Sequence, residues 1–162
     1  MNAYIDNIIL ENVYIDVSDF DGKGWSRAGG ITDYTNNSLI TNYKVTGTII
    51  AQLYVAGLAA SIDFSTLKNN NFIGELIQKN GDFKQLPSAG GIAGYLYCCG
   101  KGDLYKGCEI TGNTIAAKIT SESIEGKIAG KIHGELIHDN IIYCELNAPN
   151  EYETGKGIRA YD

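Results

Sequence analysis

A chain of 162 residues with 44% hydrophobic residues is long enough to bury one core, and its net charge of −6 withholds the clustered Lys and Arg that a phosphate backbone requires. Twenty glycines against two prolines, with Ile, Tyr, Thr and Asn abundant, favour strands and tight turns over helices. No apolar run approaches the roughly 18–20 residues of a membrane-spanning helix, so no membrane span and no direct nucleic-acid binding are expected.

The first residues, MNAYIDNIILENVYIDVSD, are acidic where a secretory leader would be basic, and they show no small-residue cleavage site. The expectation is a cytoplasmic protein if 1–162 is the natural chain, or a surface or secreted one if it is a segment of a longer exported protein. From here two short patterns alternate along the chain. The first is a bulky apolar residue, Asn or Gly three positions on, and a second bulky apolar residue after three more. It reads Ile9/Asn12/Ile15, Leu39/Asn42/Val45, Leu67/Asn70/Ile73, Leu104/Gly107/Ile110 and Ile137/Asn140/Tyr143, with anchors 30, 28, 37 and 33 residues apart. The second is small–Gly–x–apolar, as in Ala28-Gly29-Gly30-Ile31, Ala56-Gly57-Leu58, Ala89-Gly90-Gly91-Ile92, Ala129-Gly130-Lys131-Ile132 and Gly155-Lys156-Gly157-Ile158. Its anchors are Gly30, Gly57, Gly91, Gly130 and Gly157.

A unit of about 30 residues cannot bury an apolar face alone, so such units must stack. Segments such as YKVTGTIIAQLYV and GCEITGNTIAAKI alternate apolar and polar residues at strand period. Asn and Gly recur where a corner needs left-handed backbone, and Ala-Gly where neighbouring strands crowd. The prediction is one all-β domain over 1–162, a parallel β-solenoid (β-helix) of about five coils spaced ~4.8 Å apart. Asn42, Asn70, Gly107 and Asn140 are expected to stack at one corner. FSTLKNN, GDFKQLP and CCGKGDLY read as insertions in the loops.

AGGIAGYLY followed by LYKGCEITGNTIAAK resembles the GLUG-motif repeats of bacterial surface and secreted proteins, with Gly107-Cys108 in place of Asn-Cys. Val45-Thr46-Gly47-Thr48-Ile49 is a second match to the same pattern, and the resemblance covers Ala28 to Leu146. It implies an exported, repetitive, adhesin-like segment without catalytic residues of its own.

The residues that carry chemistry are sparse. Gly126-Lys127-Ile128-Ala129-Gly130-Lys131-Ile132 is one residue short of a phosphate loop and lacks its hydroxyl. Cys98, Cys99, Cys108 and Cys144 contain no CxxC pair and are read as free, inert thiols. His133 and His138, five residues apart, fall on opposite faces if one strand carries both. Asp33, two residues past its signature, is matched by Ala60, Gly94 and Ala160, with Gly134 in an alternative register, so no acidic column forms. Asp63, Asp82 and Asp103 are assigned to variable insertions. Tyr34, Tyr95 and Tyr161 share one phase, with Ser61 and Gly134 between, which allows a stripe of rings on alternate coils. Asn36-Asn37-Ser38 is a formal glycosylation acceptor.

These observations point to a non-enzymatic interaction or structural module, adhesin-like and bacterial in setting, with no cofactor or metal and a protein or glycan as partner. Two rivals are a small acidic intracellular inhibitor of a nucleic-acid-handling protein, and a carbohydrate-binding or carbohydrate-active β-helix fragment. Partner contacts are expected in the segments Asn69–Pro87 and Cys98–Lys106, at Phe83, Lys84, Asp103 and Tyr105 with Tyr95 nearby. Unpaired strand edges at the ends invite end-to-end self-association.

Overall fold

The computed structural model describes residues 3–19, 26–79, 87–97, 108–126, 129–133 and 135–147. Among them there are strands and no helix, and the strand lengths recur. The first four, β1 (Tyr4–Asp6), β2 (Ile9–Asp16), β3 (Arg27–Gly29) and β4 (Thr32–Asn36), have 3, 8, 3 and 5 residues. The same lengths return in β5 (Leu39–Thr41), β6 (Lys44–Ala51), β7 (Tyr54–Ala56) and β8 (Ala59–Asp63). They return again in β9 (Thr66–Lys68), β10 (Asn71–Gln78), β11 (Ser88–Gly90) and β12 (Ala93–Tyr97). A fourth set is β13 (Cys108–Thr111), β14 (Thr114–Ser121), β15 (Ile124–Gly126) and β16 (Ala129–His133), followed by β17 (Glu135–His138) and β18 (Ile141–Asn147).

Every fourth strand enters the same sheet. Sheet A orders β1-β5-β9-β13-β17, sheet B β2-β6-β10-β14-β18, sheet C β3-β7-β11-β15 and sheet D β4-β8-β12-β16. All pairings are parallel. Parallel pairing in register places like residues over one another, and the core consists of such columns. Sheet B contributes Leu10–Val45–Phe72–Ile115–Ile142 and Ile15–Ile49–Leu76–Ile119. Sheet A contributes Ile5–Ile40–Leu67–Ile110 and sheet D Thr35–Ile62–Leu96. Ile40, Ile49, Leu67, Phe72, Leu76, Ile110, Ile115 and Ile119 are fully buried. Each such side chain removed from water contributes about 1.5–3 kcal/mol.

The corner between sheets A and B corrects the expected register. Its left-handed residues are Asn7, Asn42, Asn69, Gly112 and Asp139, with φ of 57°, 56°, 56°, 65° and 55°. The next residue in each set is Ile8, Tyr43, Asn70, Asn113 or Asn140. Asn42 and Asn70 therefore stand one position apart. Asn70 and Asn140 do share a column, but the member between them is Asn113; Gly107 lies outside the described residues. The column is a hydrogen-bonded ladder. Asn70 donates from its backbone N–H and from Nδ2 to Asn113 Oδ1 (both 2.9 Å), and from Nδ2 to the Ile40 carbonyl (3.1 Å). Asn113 repeats this toward Asn140 Oδ1 (3.0 and 2.9 Å) and the Leu67 carbonyl (2.9 Å). Asn140 Nδ2 donates to the Ile110 carbonyl (2.8 Å), and the Tyr43 N–H to Asn70 Oδ1 (3.0 Å). Two roles thus sit on adjacent residues, an αL turn and a buried amide that satisfies the turn's backbone.

Asn12 belongs to neither column. It is the left-handed residue of a bulge between Leu10 and Val13 in β2, where its N–H donates to Thr46 Oγ1 (3.0 Å). The glycine anchors also divide. Gly30, Gly57 and Gly91 follow Gly29, Ala56 and Gly90, which pair in sheet C. A Cβ on Gly30 would stand 2.4 Å from the Gly57 carbonyl oxygen, and one on Gly57 2.4 Å from that of Gly91. In the fourth set Gly126 takes the sheet C position, because it pairs with Gly90, and Lys127 lies outside the described residues. Gly130 instead falls in the column of Ala60 and Gly94. The sequence GKIAGKI satisfies the small–Gly–x–apolar pattern twice, four residues apart. Gly157 lies outside the described residues.

The two stretches resembling GLUG repeats occupy different places: Gly112 is at the left-handed corner, whereas Gly47 pairs with Gly74 inside sheet B. Segments read as insertions are partly strand. Thr66–Lys68 is β9, and Asn69–Pro87 contains the eight residues of β10. Successive left-handed corners are 35, 27, 43 and 27 residues apart, and the surplus over 27 falls in the β2–β3, β10–β11 and β12–β13 connections.

The cysteines are corrected as well. Cys108, buried at the start of β13, is disulfide-bonded, while Cys144 in β18 keeps its thiol. Cys98 and Cys99 lie outside the described residues. The sequence carried no sign of the bridge, because three separate connections were open to the thiols. A disulfide contributes about 2–4 kcal/mol, largely through the unfolded chain. Reductant should lower the melting temperature of the native protein and leave a Cys108→Ser variant, already less stable, unchanged. Equal melting curves for both proteins, with and without reductant, would remove the bridge from the account.

Candidate binding surface

β3 runs into β4 through Gly30 and Ile31, and the outer side of this junction collects the aromatic and charged residues. Two columns flank it. Sheet C places Arg27, Tyr54, Ser88 and Ile124 in register; sheet D places Tyr34, Ser61, Tyr95 and Lys131. The Tyr34–Ser61–Tyr95 alternation has the phase expected from sequence. The fourth member is Lys131 rather than Gly134, and Tyr161 lies outside the described residues.

In the first set the Arg27 guanidinium lies 5.6 Å from the centre of the Tyr34 ring and donates to Asp33 Oδ2 (3.1 Å). The Tyr34 hydroxyl donates to Asp63 Oδ2 (2.7 Å) and accepts from Asn36 Nδ2 (3.1 Å). Asp63, expected in an insertion, closes β8 and pairs with Asn36 and Tyr97 across sheet D. Loss of solvent around Tyr34 pushes its phenol above the usual value, and the Asp63 carboxylate adds to this. Tyr34 nevertheless remains 41% exposed.

In the next two sets Tyr54 and Tyr95 stack, ring centres 5.4 Å apart and planes 26° from parallel. Tyr54, Leu53 and Ala60 form a buried apolar cluster separate from the main core, with Tyr95 packed against it. Gly94 permits the approach, since a Cβ there would stand 2.9 Å from Tyr54 Cβ; Ser88 Oγ, opposite, donates to the Gly94 carbonyl (2.8 Å). Arg27 and Tyr54 escaped the sequence reading, although both stand two residues before the small residue that closes their strand of sheet C.

Burial pushes the Tyr54 phenol up to about 12, with the Tyr95 hydroxyl adding to the effect and Arg27 opposing it. A pKa raised on folding means that the unfolded state releases the proton first, from about pH 10. Stability from Tyr54 is therefore complete below pH 10 and lost as pH rises toward 12. Urea midpoints between pH 9 and 11.5 should fall more steeply for the native protein than for Tyr54→Phe; parallel slopes would contradict the assignment.

Phe83, Lys84, Asp82, Asp103 and Tyr105 lie outside the described residues. His133 and His138 are on different strands, β16 in sheet D and β17 in sheet A, rather than on one. Asp33 has Ala60, Gly94 and Gly130 as its column neighbours. Among the described residues no three His, Cys, Asp or Glu are grouped so as to hold a metal ion, and no helix is long and apolar enough to cross a membrane. The outer face of sheet B exposes Ile9, Tyr14, Ile73, Ile141 and Tyr143 between two solvated ion pairs, Glu11–Lys44 (3.8 Å) and Glu75–Lys118 (3.7 Å). No family model, no curated protein and no solved structure matches the chain.

Proposed function

We propose that the four sheets are the faces of one wound chain, a β-solenoid of about five coils, and that this rod is a non-enzymatic interaction module of a surface or secreted protein. The observation that carries the reading is the recurrence of every fourth strand in the same parallel sheet. Stacking then dictates the inward positions, and specific recognition is left to outward residues and connections. The Cys108 disulfide supports an exported setting, because such bonds persist in oxidising compartments, and it weighs against the acidic intracellular inhibitor. The bulge at Glu11–Asn12 interrupts the ladder groups along β2 and opposes end-to-end pairing through that edge.

The test is retention without turnover. The purified chain, kept oxidised, is passed over immobilised extracellular glycans and matrix proteins, and the eluate is assayed for released sugar or peptide. Retention with no released product is the expected result. Depolymerised product would make the protein an enzyme, and inhibition of a nuclease or polymerase at equimolar ratio would favour the intracellular rival.

A further inference from the structure

We infer that the strip Arg27–Tyr34–Tyr54–Tyr95, where sheets C and D meet, binds a neutral, extended glycan. This names the ligand of the interaction module proposed above and rests on that reading. The strip is built as a platform with prepared edges. Tyr34 is an aromatic ring that stands outside both apolar clusters and is 41% exposed. Its orientation is held from three sides, by the Arg27 guanidinium and by Asp63 and Asn36 at its hydroxyl. A ring fixed in this way loses little freedom on binding, which is what a weak stacking contact with sugar C–H groups needs.

The spacing suits a chain rather than a single sugar. Tyr34 and Tyr95 are separated by Ser61 in one register column, so they lie two strand spacings apart, roughly 9.6 Å along the sheet. That is about twice the advance of one unit in an extended polymer of pyranose rings, which places alternate sugars over the two tyrosines. Tyr54, 3% exposed, backs the Tyr95 ring with centres 5.4 Å apart, and the residue between Tyr34 and Tyr95 in their column is the small, buried Ser61. Planar hydrogen-bonding groups flank the rings: the Asp33 carboxylate, itself 60% exposed, the Asp63 carboxylate and the Asn36 amide. A few fixed polar groups beside an apolar surface set orientation and specificity for a ligand rich in hydroxyls. Two carboxylates against one guanidinium, on a chain of net charge −6, disfavour sulfated or uronate polymers. A proline-rich peptide also stacks on tyrosines, but it lacks the hydroxyl donors that these carboxylates would accept from.

The experiment titrates the oxidised full chain with hexaoses of β-1,4-glucan, β-1,4-mannan and β-1,4-xylan, followed by calorimetry and amide NMR. At least one hexaose should bind, with shifts centred on Asp33–Asn36, Ser61 and Tyr95. Tyr34→Ala should weaken binding roughly tenfold with an unchanged melting temperature, and Tyr34→Phe should retain it, because the ring and not the hydroxyl makes the stack. The assignment is overturned if no hexaose binds at millimolar concentration, if shifts map elsewhere, or if Tyr34→Ala binds as well as the native chain. Preference for a sulfated hexaose or for a proline-rich decapeptide at the strip overturns it too. Hexaose cleavage would end the non-enzymatic reading while leaving this site in place; a protein ligand held elsewhere would do the reverse.

Discussion

Replacing Asn113 with Ala should destabilise the protein by roughly 3–5 kcal/mol, the larger part of the stability of an ordinary domain. Asn113 is fully buried and lies in the middle of the ladder. Its Oδ1 accepts from the backbone N–H and the side-chain amide of Asn70, and its Nδ2 donates to the Leu67 carbonyl and to Asn140 Oδ1. Truncation strands those groups where water does not reach, and each unmade buried bond costs about 1–3 kcal/mol. In a chain of this size a loss of that order lowers the melting temperature by about 10 °C. Asn42→Ala is the control. Asn42 is exposed and contributes the left-handed turn and one side-chain bond to Asp6 (2.8 Å), so its loss is about 1–2 kcal/mol. Comparable losses in the two variants would show that the corner is held by backbone geometry alone and that the buried ladder adds nothing.

Gly57→Ala should cost about 3 kcal/mol, at the upper end for a single added methyl. The new Cβ would meet the Gly91 carbonyl oxygen at 2.4 Å and two carbons of the Phe72 ring at 2.6 Å. A side chain alone is moved aside by a rotamer change; the main-chain carbonyl of Gly91 is not. Gly57 N–H donates to that same Gly91 oxygen at 3.1 Å, so relief of the clash breaks a sheet contact. The pairing of Gly57→Ala with Phe72→Leu separates the causes. Smaller bulk at position 72 removes the ring contact but leaves the carbonyl, so the double variant should recover little when allowance is made for the Phe72→Leu loss. Full recovery would place the strain in the ring. Urea unfolding of the four proteins measures both terms.

Strand content, parallel sheets and the crowded Gly30–Gly57–Gly91 positions were legible in the residues themselves. A β-branched and aromatic composition with alternating polarity specifies strands locally, and repeated small–Gly–apolar signatures mark a place where no Cβ fits. The Tyr34–Ser61–Tyr95 phase was legible for the same reason, since it is counted from those glycines without a gap. Register elsewhere was decided by the tertiary structure. In Asn69-Asn70-Asn71 three identical residues take three roles: left-handed corner, buried ladder and first residue of β10. Nothing local tells them apart, because the choice depends on which amide faces Asn113 in the neighbouring strand. GKIAGKI offers two equal alignments, and only the pairing of Gly90 with Gly126 selects one. Arg27 and Tyr54 read as ordinary strand residues until sheets C and D are folded against each other, which brings Arg27 over Tyr34 and Tyr54 onto Tyr95. A side-chain period of two fixes the face along each strand, but a shift of one residue exchanges the faces, and burial against neighbouring strands is what penalises the wrong one.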